Sequence, residues 1–296
     1  MTLIALALGL ILEHVATAAL HLRELRWFDR YYDAGLALIS SWPRWGIYVG
    51  LVLIVALPAL PVFLISDLLK GEEIIWDLAY LSFAVLIVFF CLGPRDLGSE
   101  VDEYCLARDQ GDDQAAERVL LEMCESEHPR TNDIEIVEDA IFVQSINRIF
   151  GVIFWFVVLG PVGAWIFRVS DLLRRRVVFQ HMRRERSNES ALVAIEAIYG
   201  VLKWIPARLA MCGYALSGSF DDAMNAWRGE IAIDRVPIDV RNDLLVARVG
   251  KASMTGYLDE PDNSSAAARN SMRIVHRTVF IWVIVIALLT IFGFAL

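Results

Sequence analysis

The sequence predicts an all-α fold with several helices lying in a membrane. Residues 278–296 are nineteen positions without a charged side chain, and a helix of that length crosses the ~30 Å hydrocarbon core of a bilayer. Over 296 residues the composition is 57% hydrophobic and 21% charged, which is typical of a chain with separate membrane and hydrated blocks. No segment alternates apolar and polar residues over the length of a strand, so no sheet is predicted.

The N-terminal residues 1–93 are predicted to form a three-helix membrane region. Residues 2–12 are apolar and residues 16–18 read Ala-Thr-Ala, as at a signal-peptide cleavage site. No basic residue precedes them, and Glu13 and His14 interrupt the apolar stretch, so we expect a retained first membrane helix. The second and third helices are predicted at residues 47–66, with a kink at its two prolines, and 74–93.

A fourth apolar stretch, residues 149–167, is broken by Gly160-Pro161. It separates an acidic block (94–148) from an Arg-rich block (168–277), and the distribution of basic residues places both blocks in the cytoplasm. Both can lie on one side only when the stretch between them returns or packs inside protein. We therefore predict a discontinuous or re-entrant segment, followed by a C-terminal transmembrane helix at 278–296.

Charge and cysteine usage exclude several classes of function. The net charge of −9 argues against nucleic acid as a partner. Four cysteines without CxxC spacing indicate neither a zinc site nor a redox pair, and no phosphate-binding GxxxxGK[ST] motif is present. The sequence thus predicts no metal and no cofactor, with the lipid bilayer as the main partner.

The hydrated blocks are predicted to be helical, with helices at residues 97–108, 113–125 and 192–202. The sequence Pro206-Ala207-Arg208 is expected to end one helix and begin another, leaving the Arg208 side chain to point from the break. A simple turn with a snorkelling arginine fits the same three residues.

Besides Arg208, two features could carry function. Glu13 and His14 lie within the first membrane helix, where ionisable residues are either functional or paired inside the bundle. The Arg-rich run at 168–186 fits either a phosphate site or a helix face touching anionic headgroups, and we favour the headgroups.

Five segments resemble the AmpE family of bacterial inner-membrane proteins, which is linked to control of inducible chromosomal β-lactamase. They are MTLIALALGLILEH, GPRDLGSEVDEYCLARDQGD, FWFVVLGPVGAWIFR, KWIPARLAMCGYALSG and ALLTIFG, spread from end to end of the chain. That family is in turn similar to the cobinamide-phosphate synthases (CobD/CbiB), membrane enzymes that use ATP to attach an aminopropanol arm to a corrin carboxylate. The resemblance implies a multi-pass protein of the inner membrane.

The chain departs from the synthase pattern in three places and loses most of its carboxylates there. Where the synthases have a Glu-Asn pair followed by an Asp, this chain has Val143, Gln144 and Asn147. Where they have an Asn-Thr-Leu-Asp run it has residues 171–174, from Asp171 to Arg174, and where they have two Asp residues it has Tyr199 and Gly200. A ligase that uses ATP needs carboxylates to hold Mg²⁺ against the phosphates. The resemblance therefore implies a synthase scaffold without its reaction, although Glu138, Asp139 and Asp171 remain nearby.

We interpret the protein as a non-catalytic sensor or modulator that binds a small anionic ligand, such as a peptidoglycan-recycling metabolite, in a polar cavity. A divergent ATP-dependent amide ligase acting on an amphiphilic carboxylate is the alternative, and a purely structural partner, with the cavity filled, is a third. A homo-oligomer is compatible with each. The candidate ligand-binding residues are Glu13, His14, Glu138, Asn147, Arg168, Asp171 and Arg208.

Overall fold

The computed structural model describes residues 4–9, 27–69, 71, 74–92, 96–124, 133–182, 189–229, 236–256 and 263–292. In these ranges all regular structure is helical, which confirms the predicted all-α class. Residues 4–9 form α1. The other elements are α2 (Trp27–Ile39), α3 (Arg44–Leu68), α4 (Ile74–Cys91), α5 (Leu97–Asp109), α6 (Asp113–Cys124), α7 (Asp133–Ser145), a π-helical turn (Ile146–Phe150), α8 (Gly151–Met182), α9 (Glu189–Ser217), α10 (Phe220–Arg228), α11 (Ile238–Met254) and α12 (Ser264–Ile291).

Five described helical segments are long and apolar enough to cross a membrane: Arg44–Leu68, Ile74–Cys91, Ile134–Met182, Glu189–Ser217 and Ser264–Ile291. Large apolar side chains cover their outer surfaces, as on α3, where Leu57, Leu60 and Phe63 are all exposed. A surface of this kind fits lipid rather than water. The chain is thus a multi-pass membrane protein, and α3, α4 and α12 match three of the predicted spans.

The fourth apolar stretch is a helical hairpin that turns at Gly160. This glycine has φ 67° and ψ −155°, a conformation that is essentially restricted to glycine, and it interrupts the helical geometry of α8 as predicted. On either side the chain folds back on itself. The backbone at Gly163 packs closely against the Trp155 carbonyl, and the backbone at Gly151 packs against the Phe167 ring. A straight helix would hold Gly151 and Phe167 about 24 Å apart.

The two arms of the hairpin remain in contact down to their polar ends, where Arg175 Nη2 donates to Gln144 Oε1 at 3.3 Å. Between the polar ends and the turn, the uncharged part of the first arm covers residues 149–159, about 16 Å of helix. That length is roughly half of a ~30 Å hydrocarbon core. At the turn itself, the hydroxyl of Tyr80 on α4 lies near Gly160.

The expected helix break at Pro206 is wrong, because α9 continues through this proline to Ser217. A proline in a helix lacks the N–H that would bond the carbonyl four residues earlier, here that of Leu202. The indole Nε1 of Trp155 donates to this carbonyl at 3.0 Å. An external donor therefore replaces the lost backbone bond, as membrane helices require.

A carbonyl freed by a proline is also bonded by a side chain of another helix in α3. Pro58 leaves the carbonyl of Ile54 without its backbone donor, and the hydroxyl of Tyr31 on α2 donates to that carbonyl at 2.8 Å. The carbonyl freed by Pro58 is thus satisfied from a neighbouring helix, and this bond ties α2 to α3.

Helix α9 is the element on which the others converge. Its first half packs with α3 and the second arm of the hairpin, and its second half packs with α12. Its inner side is covered by α11, which approaches so closely that a Cβ on Gly200 would clash with the backbone of Asp239. Polar residues on the inner side of α9 therefore meet the base of the hairpin.

Candidate functional site

Charged and polar side chains are buried together at the base of the hairpin, in a group we call the basal cluster. They come from α5, from both arms of the hairpin, from α9 and from the first turns of α11. The members are Glu100, Gln144, Asn147, Arg148, Arg168, Asp171, Arg174, Arg175, Tyr199, Lys203, Asp239, Asn242 and Asp243.

Asp171 is the acceptor at the centre of the basal cluster. Its carboxylate has no exposed surface and accepts from Arg168 Nη1 at 3.0 Å, Arg174 Nη2 at 3.1 Å and Arg175 Nε at 2.9 Å. All three arginines lie on the same helix within four residues of the acid. Three guanidinium groups therefore share this one carboxylate, and Arg174 Nε also lies 3.9 Å from Asp239 Oδ2.

A second ion pair ties α5 to the first arm. Arg148 Nη1 donates to Glu100 Oε2 at 2.7 Å, and both side chains are nearly fully buried. Arg148 Nε donates to Gln144 Oε1 at 3.1 Å, while Gln144 Nε2 donates to the Met123 carbonyl at 2.9 Å. Arg148 lies in the π-helical turn, which is a common deviation at functional positions.

Tyr199 occupies the middle of the basal cluster on α9. Its hydroxyl donates to Asn147 Oδ1 at 3.0 Å. The Arg174 guanidinium lies 5.0 Å from the ring centroid and the Lys203 ammonium 5.4 Å from it. The ring thus holds two cations in place by cation–π attraction without neutralising them.

Lys203 is fully buried and joins α9 to α11. Its ammonium donates to Asp239 Oδ1 at 3.1 Å and also pairs with Asp243. Removal from bulk water raises the pKa of Asp243, against the opposing effect of the Lys203 ammonium. The first turns of α11 therefore supply the counter-charges for the α9 side of the basal cluster.

The predicted site residues divide into four groups. Asn147, Arg168 and Asp171 lie together in the basal cluster. Arg208 lies at its outer edge, where Nη1 donates to Asn242 Oδ1 and, at 3.2 Å, to the Trp204 carbonyl. Glu138 is buried separately on α7, whereas Glu13 and His14 lie outside the described residues.

The headgroup interpretation of the Arg-rich run is wrong for its described part. Arg168 is 1% exposed, and Arg174 and Arg175 face Asp171. Arg176 forms a two-bond pair with Asp33 of α2, at 2.8 and 2.6 Å. These side chains turn inward because α8 itself supplies the buried carboxylate of Asp171 and α2 supplies the partly exposed carboxylate of Asp33.

Sequence reasoning missed six members of the basal cluster: Glu100, Arg148, Lys203, Asp239, Asn242 and Asp243. Lys203 could have been found, because a single ammonium within an apolar helix is a functional candidate by default. The other five reach the site by long-range packing that no local pattern shows. Asn147, Arg174 and Tyr199, which stand where the resemblance expects carboxylates, do meet in one place.

Comparisons with known proteins agree with the predicted resemblance. The chain is 23% identical over 238 residues to Protein AmpE of Shigella flexneri, covering 78% of this chain and 80% of the relative. It is 25% identical over 147 residues to a CobD cobalamin biosynthesis protein of Stutzerimonas stutzeri, covering 49% and 47% respectively. A CobD protein of Chromobacterium violaceum is 26% identical over 161 residues, covering 52% and 50%.

The chain thus spans about half the length of these two CobD relatives and most of the AmpE relative. No solved structure matches the chain. The family model described as "Regulatory signalling modulator protein AmpE" matches residues 1–296. Because that match covers the whole chain, the protein belongs to the AmpE family of regulatory signalling modulators.

Proposed function

We propose that this protein is an inner-membrane signalling modulator in which the basal cluster binds a small anionic ligand. One observation carries the proposal: three guanidinium groups surround the single buried carboxylate of Asp171, and the Nε–H of Arg168 remains unbonded among the described residues. The bases of the cluster are Arg148, Arg168, Arg174, Arg175 and Lys203, and its acids are Glu100, Asp171, Asp239 and Asp243, with Glu196 of α9 close enough to act on Arg174 and Asp239.

Burying a charged group costs several kcal/mol unless it is paired and its hydrogen bonds are made. An anion bound beside Arg168 would supply a further charge-assisted hydrogen bond. The Nε–H of Arg168 supports this, because it is buried and has no hydrogen-bond partner in the described part of the chain. Arg forks suit carboxylate and phosphate groups, which gives the chemical class of the ligand.

Binding in this cluster has to exchange one internal ion pair for another. The carboxylates of Asp171 and Asp239 already contact the arginines and Lys203, so an incoming anion competes with them. Displacing Asp239 would loosen α11 from α9. The ligand would then change how the first turns of α11 pack, which is a route from binding to signalling.

The link to β-lactams rests on the resemblance to the AmpE family. We propose that the ligand is a carboxylate-bearing peptidoglycan-recycling metabolite and that binding modulates induction of β-lactamase.

We also propose that the hairpin is re-entrant, since its apolar part covers about half of the membrane and both polar ends meet in one cluster.

Binding is tested on the full-length protein in detergent by thermal shift and calorimetry, using a soluble muropeptide and inorganic phosphate as probes. Arg175→Gln removes a half-buried cation and should weaken binding about tenfold, in line with one charge-assisted bond of ~1.5 kcal/mol. Asp239→Asn removes a competing carboxylate and should strengthen it. Arg118→Gln on the exposed side of α6 is the matched control. Equal affinity in all four proteins would refute the site.

The alternative ligase is supported by the CobD relatives alone, and it makes a separate prediction. With ATP and Mg²⁺, a ligase would show turnover that a carboxylate acceptor stimulates. A modulator of the proposed kind would show none, and its β-lactamase induction in cells would still respond to Arg175→Gln.

A further inference from the structure

An apolar groove on the outer surface lies between the first arm of the hairpin, α9 and α12. Its volume is about 390 Å³, and it is lined by apolar side chains that include Phe154, Val158, Leu209, Leu216, Trp282 and Leu289. Along α12 the lining residues recur one turn apart from Ile281 to Leu289, so the groove is elongated along that helix. It does not overlap the basal cluster.

Arg208 lies beside one end of this groove. Residues 208, 212 and 216 are spaced four apart on α9, so they share a face, and Cys212 and Leu216 both line the groove. The Arg208 guanidinium stacks 4.5 Å from the Trp204 ring, one turn further from the groove. Its Nη1 donates to Asn242 and the Trp204 carbonyl, while Nε and Nη2 have no partner in the described ranges.

We propose that the groove holds an acyl chain of an anionic phospholipid whose phosphate is bound by Arg208. The lining has the chemistry of a hydrocarbon chain, and the two nitrogens left on Arg208 match a phosphate in a forked geometry. A tryptophan under the guanidinium is the arrangement expected at the boundary between headgroups and hydrocarbon. Arg241 of α11 lies close enough to Arg208 to add positive charge there.

The site differs from general contact with lipid in two respects. First, it combines a charge with a groove, so it should select anionic over zwitterionic phospholipid of the same chain length. Second, the bound lipid touches the first arm of the hairpin, α9 and α12, so it should stabilise the fold. Neither effect requires a ligand in the basal cluster.

Lipid selectivity is tested on the full-length protein extracted in mild detergent. Phosphatidylglycerol should raise the unfolding temperature, and phosphatidylcholine with the same chains should not. Arg208→Gln should reduce the apparent affinity for phosphatidylglycerol about fivefold, the equivalent of ~1 kcal/mol per basic residue near a membrane surface. Arg208→Lys should retain most of it. Arg44→Gln, which removes an exposed arginine at the start of α3, is the control.

The groove is tested separately by filling it. Val158→Trp should abolish the stabilisation by phosphatidylglycerol while the folded protein remains, because the side chain is about half exposed and points into open groove. Leu60→Trp, at an equally exposed position of α3 outside the groove, is the matched control.

Cys212 gives a second measurement of occupancy of the groove. It is the exposed cysteine, so a bilayer-soluble maleimide should label it more slowly in phosphatidylglycerol than in phosphatidylcholine vesicles.

Three outcomes would overturn the proposal. One is equal stabilisation by the two lipids, and another is full affinity in Arg208→Gln. The third is efficient Cys212–Cys212 cross-linking between two chains in vesicles, which would make the groove an interface between copies. Equal muropeptide affinity in the wild type and Arg175→Gln, which counts against the basal cluster as a ligand site, would leave the lipid selectivity unchanged, so the two proposals fail independently.

Discussion

Replacing Trp155 by Phe should destabilise the protein because the proline inside α9 cannot replace the lost hydrogen bond. The change removes the indole N–H that donates to the Leu202 carbonyl, and Pro206 offers no backbone N–H in its place. A side-chain hydrogen bond in a membrane protein is worth about 0.6 kcal/mol on average and at most ~1.7 kcal/mol. A carbonyl left unsatisfied belongs at the upper end of that range.

A double-mutant cycle isolates this bond from the lost packing of the indole. In the Pro206→Ala background the new backbone N–H can bond the Leu202 carbonyl, so Trp155→Phe should cost about 1 kcal/mol less than in the wild type. The free energies come from reversible unfolding in mixed detergent micelles. Trp45→Phe, at an exposed indole on α3, should show no coupling to Pro206→Ala. A Trp155 coupling below about 0.3 kcal/mol would refute the exchange of donors.

Three further predictions concern stability. Arg148→Met should cost about 3–5 kcal/mol because it leaves Glu100 buried without its cation, and Glu100→Leu in the same chain should recover most of that loss in unfolding measurements. Gly160→Ala should cost about 1–3 kcal/mol, since its backbone conformation suits glycine alone. Gly46→Ala, at a helical position of α3 where a Cβ would lie 3.3 Å from Trp42 Cβ, should cost less, and circular dichroism melts compare the two. The pKa of Asp109 is lowered by the hydrogen bond from its arginine partner on α12. The stability that this pair contributes is therefore present above the ordinary carboxyl pKa and is lost as the pH falls below it. In thermal melts from pH 6 to 3, Asp109→Asn should lose less stability than the wild type.

Local patterns were sufficient for most of the fold. Helices α5 and α6 begin and end within one residue of their predicted bounds, because cap and turn residues mark them directly. The break at Gly160 was also predictable, since Gly-Pro interrupts any helix. The continuity of α9 was not, because the donor that makes Pro206 tolerable lies 47 residues earlier than its acceptor.

The candidate site was less accessible from the sequence. Arg168 and Asp171 are neighbours on one helix, so their pairing could be expected from spacing. The Glu100–Arg148 pair and the contacts of Lys203 with α11 join residues 36 to 48 positions apart, and they depend on how the helices pack. The inward direction of the Arg-rich run depends in the same way on Asp33, a residue of α2.

Two of the carbonyls freed by prolines have an order in time as well as in space. Tyr31 precedes Ile54, and Trp155 precedes Leu202, so each donor leaves the ribosome before the carbonyl that needs it. When the helix that contains Pro58 or Pro206 enters the membrane, the donor for its freed carbonyl has already been synthesised. Neither of these two carbonyls therefore has to wait in lipid for a later segment of the chain.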